Sequence, residues 1–167
     1  MTIPVKGKSI EFQALREAWS MYIIRDKSPV QLKARIILTK VLKADSYNAL
    51  GEPIYATGTA TPIIVTVAPP ELTGPPTLPP PTQDAFSRVE LTELEFERVE
   101  EPWNEYKLTD GTVVRIRVLL TGIRRSPFFG LDGDPLYTVT SDVSTHISVP
   151  TELRQKLESK SQQRYTV

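Results

Sequence analysis

The stretch EFERVEEPWNEYKLTD, residues 95–110, decides how this chain is read, because a variant of it, EFQALREAWSMYIIRD, already occupies residues 11–26. At a constant offset of 84, residues 10–26 and their counterparts share six of 17 positions: Glu11/Glu95, Phe12/Phe96, Glu17/Glu101, Trp19/Trp103, Tyr22/Tyr106 and Asp26/Asp110. The first copy then carries two extra residues near Lys27, Ser28 and Pro29. From Lys33 to Val67 the offset is 82 without a gap, with identities at Arg35/Arg117, Leu38/Leu120, Thr39/Thr121, Gly51/Gly133, Pro53/Pro135, Tyr55/Tyr137 and Val67/Val149. The two tryptophans of the chain form one matched pair. Self-similarity at a fixed spacing predicts a repeated structural unit, here of about sixty residues. Units of that size are marginal alone, so the copies are expected to pack on each other or on a partner.

Working outward, Leu94 and Phe96 alternate with Glu93, Glu95 and Glu97, the period of a strand. Residues 10–18, which by composition alone would suit a helix, should share that extended form. Trp19–Ile24 and Trp103–Leu108 read as strands, and Asp110-Gly111 as a hairpin turn, since glycine reaches positive φ without strain. A long strand follows at Leu32–Lys43 and Val113–Arg125. Its apolar face is Leu32, Ala34, Ile36 and Leu38 in one copy, and Val114, Ile116, Val118 and Leu120 in the other. Val41 and Ile123 then fall on the wrong parity, which predicts a bulge at Thr39 and Thr121. Loops are expected at 44–52 and 126–134, closed by Gly51-Glu52-Pro53 and Gly133-Asp134-Pro135, before a last β-rich stretch ending at Val67 and Val149. Thr151 is the expected cap of a C-terminal helix carrying Leu153 and Leu157 on one side. Gly74, Pro75 and Pro76 should stop the matching helix of the first copy after one turn.

Strand, turn, long bent strand, loop, strand and short helix make the outline of an SH3- or Sm-like small β-barrel, with an OB-like barrel second. The expected fold is therefore mainly β: a tandem duplication of a barrel-like unit with a proline-rich linker and a short C-terminal helix. The division is 1–72 for the first repeat, 73–93 for a proline-rich then acidic linker, 94–153 for the second repeat, and 154–167 for the helix and a frayed polar tail. Seven prolines between Pro69 and Thr82 predict a stiff, extended spacer.

Composition narrows the function classes. The 167 residues include no cysteine and a single histidine, with a net charge of zero. Thiolate metal sites, cysteine nucleophiles and disulfides are thereby excluded. The lone His146, matched by Ile64 in the other copy, gives a catalytic triad or a histidine metal site almost nothing to use. The Asp132-Gly133-Asp134 run lacks the rest of a calcium loop and reads as a tight turn. No cofactor and no enzymatic activity are expected. The repeated acids Glu11/Glu95 and Glu17/Glu101 read as members of a solvated strand face. No run is long and apolar enough for a membrane span, and the N-terminus lacks a signal-peptide pattern, so a cytoplasmic protein is expected.

The zero charge hides a pattern: +3 over residues 1–72, −6 over 73–105 and +3 over 106–167. Lys33, Arg35 and Lys43, with Arg115, Arg117, Arg124 and Arg125, form basic strand faces that could track a nucleic-acid backbone. Trp19, Tyr22 and Tyr47, with Trp103, Tyr106 and Phe129, would supply stacking rings. The plainer reading makes the basic residues cross-strand neighbours of the acids at 93–105. In that reading Phe12, Trp19, Tyr22, Tyr55, Phe96, Trp103, Tyr106 and Tyr137 are core residues of the repeat. The function expected first is a non-catalytic binding or scaffold protein, engaging a protein partner or assembling with itself through two similar faces. Nucleic-acid binding through the basic faces is the alternative.

Overall fold

Parity along the strands sets the architecture. A computed structural model describes residues 6–66 and 70–154, and they are mainly β. The strands are β1 (Gly7–Ser9), β2 (Phe12–Arg16), β3 (Ser20–Arg25), β4 (Pro29–Ala34), β5 (Ile37–Tyr47), β6 (Pro53–Ala60) and β7 (Ile63–Thr66). After the short helix α1 (Gln83–Phe86) come β8 (Thr92–Glu100), β9 (Asn104–Leu108), β10 (Val113–Phe129) and β11 (Pro135–Ser148). A three-stranded sheet has the order β1-β5-β6. A larger one runs β2-β9-β10-β8-β3-β4-β7, with β11 also paired to β10.

Neither half closes a barrel of its own. The strand that would seal each half instead pairs with the first hairpin of the other. In β2, Phe12 lies opposite Leu108, Gln13 opposite Lys107, Ala14 opposite Tyr106 and Arg16 opposite Glu105, all in β9. In β8, Phe96 lies opposite Ile24, Glu97 opposite Ile23, Arg98 opposite Tyr22 and Glu100 opposite Met21, all in β3. Subtracting the sequence offset turns one register into the other, residue for residue, including the irregularity after the third pair. The preceding segments pair within their own halves, again alike: Ser9 opposite Leu42 and Lys8 opposite Lys43, Glu93 opposite Arg124 and Thr92 opposite Arg125. Buried Asn104 braces one crossing segment, accepting from Ala18 N–H at 2.9 Å and donating to Ile36 O at 2.8 Å.

The core is shared as well. Tyr22, Ile24, Leu32, Ile36 and Val41 belong to the same buried cluster as Tyr106, Leu108, Val114, Ile116 and Ile123. Register shifts fall between Leu38 and Lys40 and between Leu120 and Gly122, so Thr39 and Thr121 are the residues left unpaired. Each shift returns the following apolar residue, Val41 or Ile123, to the interior.

Several boundaries differ from the sequence pattern. Residues 7–9 form a strand rather than a lead-in, because β5 offers them an edge. The strands before the second loops run on to Tyr47 and Phe129, which leaves turns of five residues at 48–52 and 130–134. Gly51 and Gly133 take the positive φ at both corners, 78° and 85°. A 3-10 turn at Pro70–Leu72 ends at Thr73 and Gly74, and residues 151–154 are helical at the matching place. Leu157 and the tail expected over 159–167 lie outside the described residues. The proline-rich segment is no free spacer: Gly74 N–H donates to Gly133 O at 2.9 Å and Thr77 N–H to Phe129 O at 3.1 Å.

The bulge has a direct test. Ile123→Ala should cost about 2–5 kcal/mol, as for other buried aliphatic truncations. Val143→Ala on β11, 44% exposed, should stay within about 0.5 kcal/mol. Urea midpoints read both; equal effects would mean that the parity after Thr121 is misplaced.

Candidate functional site

The polar groups of the chain gather where the halves cross. Tyr22 is fully buried, and its hydroxyl donates to Glu101 Oε2 at 2.5 Å. The matching Tyr106 donates to Glu17 Oε1 at 2.8 Å. Phe12 packs edge-on to Tyr106 and Phe96 edge-on to Tyr22, at centroid distances of 5.8 and 6.0 Å. Arg35 is paired with Glu17, whereas Arg98 takes that place beside Glu101 at 3.2 Å. Burial, with the Glu101 carboxylate next, pushes the Tyr22 phenol well above its usual range. Burial likewise takes Tyr106 up to about 12. The Tyr106 hydroxyl, together with the Arg35 guanidinium and against burial, holds Glu17 below its usual range.

A second reciprocal pair of contacts lies at the hairpin turns. Asp26, its side chain only 1% exposed, accepts from Tyr137 Oη at 2.9 Å and from Arg125 Nε at 3.1 Å. Asp110 accepts from Tyr55 Oη at 2.5 Å, Lys43 Nζ at 2.9 Å and Thr112 N–H at 2.9 Å. Burial alone would raise the Asp110 carboxyl, but Tyr55, Lys43 and Thr112 outweigh it and hold it at about 2. Burial and the Asp110 carboxylate push Tyr55 upward, and Asp26 does the same to Tyr137, also after burial.

These contacts divide the basic residues. Lys43, Arg125 and Arg35 are turned to carboxylates at the crossing. Arg115 Nε lies 3.1 Å from Glu105 Oε1, an ion-pair distance without hydrogen-bond alignment, and its guanidinium sits 5.2 Å from the Trp103 ring centre. Arg117 lies 4.8 Å from the same ring, and its buried Nε has no hydrogen-bond partner among the described residues. Arg35 covers Trp19 in the same way at 5.8 Å. Lys33 is half-buried on β4 between Met21 and Ile64, and Arg124 is exposed on β10 opposite Glu93 and Thr138. The seven residues therefore do not form one basic line; Arg115 and Arg117 gather over Trp103, and Arg35 lies over Trp19.

Two sequence readings change here. Glu17 and Glu101 do not sit on a solvated face: they are partly buried acceptors for tyrosines of the other half. Tyr55 and Tyr137 act through their hydroxyls as well as their rings. The signal lay in the repeat itself, since both acids and all four tyrosines are positions that it preserves. His146 is exposed, opposite Arg115 in the ladder.

Two of the clefts among the described residues are related by the matching positions. One, of 450 Å³, is lined by Asn48, Glu52, Pro53, Ile54, Tyr55, Ile147 and Val149. The other, of 230 Å³, lies at the matching place, between the 132–137 turn and Val65. Each combines the turn of one half with the last strand of the other. Glu52 is paired with Arg154 at 3.0 Å; burial and then the Asp132 charge raise Asp134. Among the described residues no three His, Cys, Asp or Glu side chains gather as a metal site, and no helix is long and apolar enough to cross a membrane. Comparison with protein-family models, curated proteins and solved structures returned no match.

Acid should weaken the crossing. A carboxyl lowered on folding stabilises above its unfolded value, and that stability is lost as pH falls through the folded one. For Asp110, moving from 3.8 to about 2, this amounts to about 2 kcal/mol lost between pH 4 and pH 2. Urea midpoints across that window should fall for the native chain. Asp110→Asn should start lower at neutral pH and lack that part of the slope; a variant with the native slope would show that Asp110 is not the group concerned.

Proposed function

We propose that this protein is a non-catalytic binding scaffold, a duplicated unit whose two copies have exchanged their first strands within one chain. The observation that carries the reading is the matching register of β2 on β9 and β8 on β3. Identical positions of the repeat supply the contacts that make the exchange specific. Fusion of a symmetric pair presents related surfaces twice, which suits bivalent engagement of a partner. The clefts hold no histidine or cysteine, and their carboxylates are ion-paired or crowded by another acid, which favours binding over turnover. Native capture from source cells tests the role: a stoichiometric protein partner that survives high salt is expected. A chain that captures no protein, yet turns over a small molecule, would overturn it.

The exchange itself can be tested apart from any partner. Residues 1–82 alone contain β2 but not β9, so β2 finds its hydrogen-bonding edge only on a second copy. Sedimentation should give a dimer that loses structure on dilution. A stable folded monomer would contradict the reading.

Nucleic-acid binding remains the second reading, favoured by the two guanidinium groups over Trp103. It predicts salt-sensitive binding of single strands, abolished by Arg115→Glu with Arg117→Glu. Binding unchanged in the double variant would remove it.

A further inference from the structure

Arg35 and Arg117 occupy the same position of the repeat, yet only Arg35 has a carboxylate. Each guanidinium lies over the matching tryptophan, 5.8 Å from the Trp19 ring centre and 4.8 Å from that of Trp103. In both, Nε is buried and has no hydrogen-bond partner among the described residues. Arg35 donates instead through Nη2 to the Glu17 carboxylate, which also accepts from Tyr106. The equivalent acid of the second copy, Glu101, is already taken. It accepts from Tyr22, and Arg98 Nε lies 3.2 Å from its Oε1. Arg98 stands where the first copy has Ala14. With Arg98 at that acid, Arg117 forms no ion pair among the described residues.

Its neighbours do not balance the charge. Arg115, next on the same face of β10, lies 3.1 Å from Glu105. Across the ladder Arg117 faces the neutral Ser144. Asp142, opposite Leu119, is exposed and joins no ion pair among the described residues. Residues 1–5, 67–69 and 155–167 contribute one acidic side chain, Glu158, against Lys156, Lys160 and Arg164. That basic balance suits a place beside Arg117 poorly. An arginine stacked on an indole keeps its planar fork of donors, which matches a carboxylate.

We propose that Arg117, stacked on Trp103, binds a carboxylate side chain on an acidic segment of a partner protein. The first copy shows the ligand that this position takes, since Arg35 over Trp19 holds Glu17 in the same way. The two related positions then differ in reach: Arg35 bonds within the chain and Arg117 beyond it. The assignment deepens the scaffold reading and rests on it.

A labelled peptide of alternating glutamate and serine is the probe, titrated into the full chain at low salt and read by fluorescence anisotropy. Saturable one-to-one binding is expected. Arg117→Lys keeps the charge but loses the fork, and should weaken binding about tenfold, as for other bonds to charged groups. Arg124→Gln removes a charge from an exposed position of the same strand and should leave binding unchanged. Both variants leave the buried residues of β10 in place and should keep the native circular dichroism. No saturable binding, binding unchanged in Arg117→Lys, or an equal loss in Arg124→Gln overturns the proposal. Binding that appears only in Glu158→Gln would assign Arg117 to an acid of this chain and overturn it. A single-stranded oligothymidylate that binds through Arg117 where the peptide does not would assign the position to phosphate, with the same consequence. A stoichiometric partner captured equally by the native chain and by Arg117→Lys would remove this site and leave the scaffold reading standing.

Discussion

The structure depends on the reciprocal crossing of β2 and β8. A strand needs a hydrogen-bonding edge along its whole length, and each of these finds only part of one in its own half. The residues just ahead pair locally, β1 with β5 and the start of β8 with β10. The rest pair across, on β9 and on β3. Once the strands cross, the apolar faces of both hairpins must cover one common interior, and that is why Tyr22 and Tyr106 are core residues of one cluster.

Burying two phenols at the crossing would be costly if their hydroxyls lacked partners. Glu17 and Glu101 meet that requirement from the opposite half, and each acid is in turn held by an arginine. Such a network fixes the register of the crossing, because removing one member leaves another polar group buried and unsatisfied. Asp26 and Asp110 repeat the device at the hairpin turns. The crossing and the polar contacts are thus mutually dependent: the crossing brings acid and tyrosine together, and their bonds penalise any slip in register.

Much of the local structure was legible. Alternation placed β3, β9 and β10 near their observed positions, but Leu32–Lys43, expected as one long strand, is divided between β4 and β5 in different sheets. The parity break after Leu38 and Leu120 located the bulge, because a period of two permits only one apolar face. The closed small barrel was a wrong expectation, for a physical reason. The two stretches resemble each other in alternation, so no local pattern distinguishes β9 from β3 as the neighbour of β2. Alternation says which side of a strand is apolar, not which copy supplies its neighbour. The candidate site was legible only in part. Basic residues and tyrosines were singled out by the repeat, yet the partners of Tyr22 and Tyr106 lie 79 and 89 residues away, a distance that no local pattern encodes. The proline-rich segment was recognisable as extended, but its seat on Phe129 depends on a carbonyl that Pro135 leaves facing outward.

If the halves are held by exchanged strands around one core, neither can melt while the other stays folded. Differential scanning calorimetry of the full chain tests this most directly. The account predicts a single transition whose calorimetric and van't Hoff enthalpies agree, at roughly 100 kcal/mol for a chain of this length. Two resolved transitions, or a calorimetric enthalpy about twice the van't Hoff value, would mean independently folding halves and would contradict it.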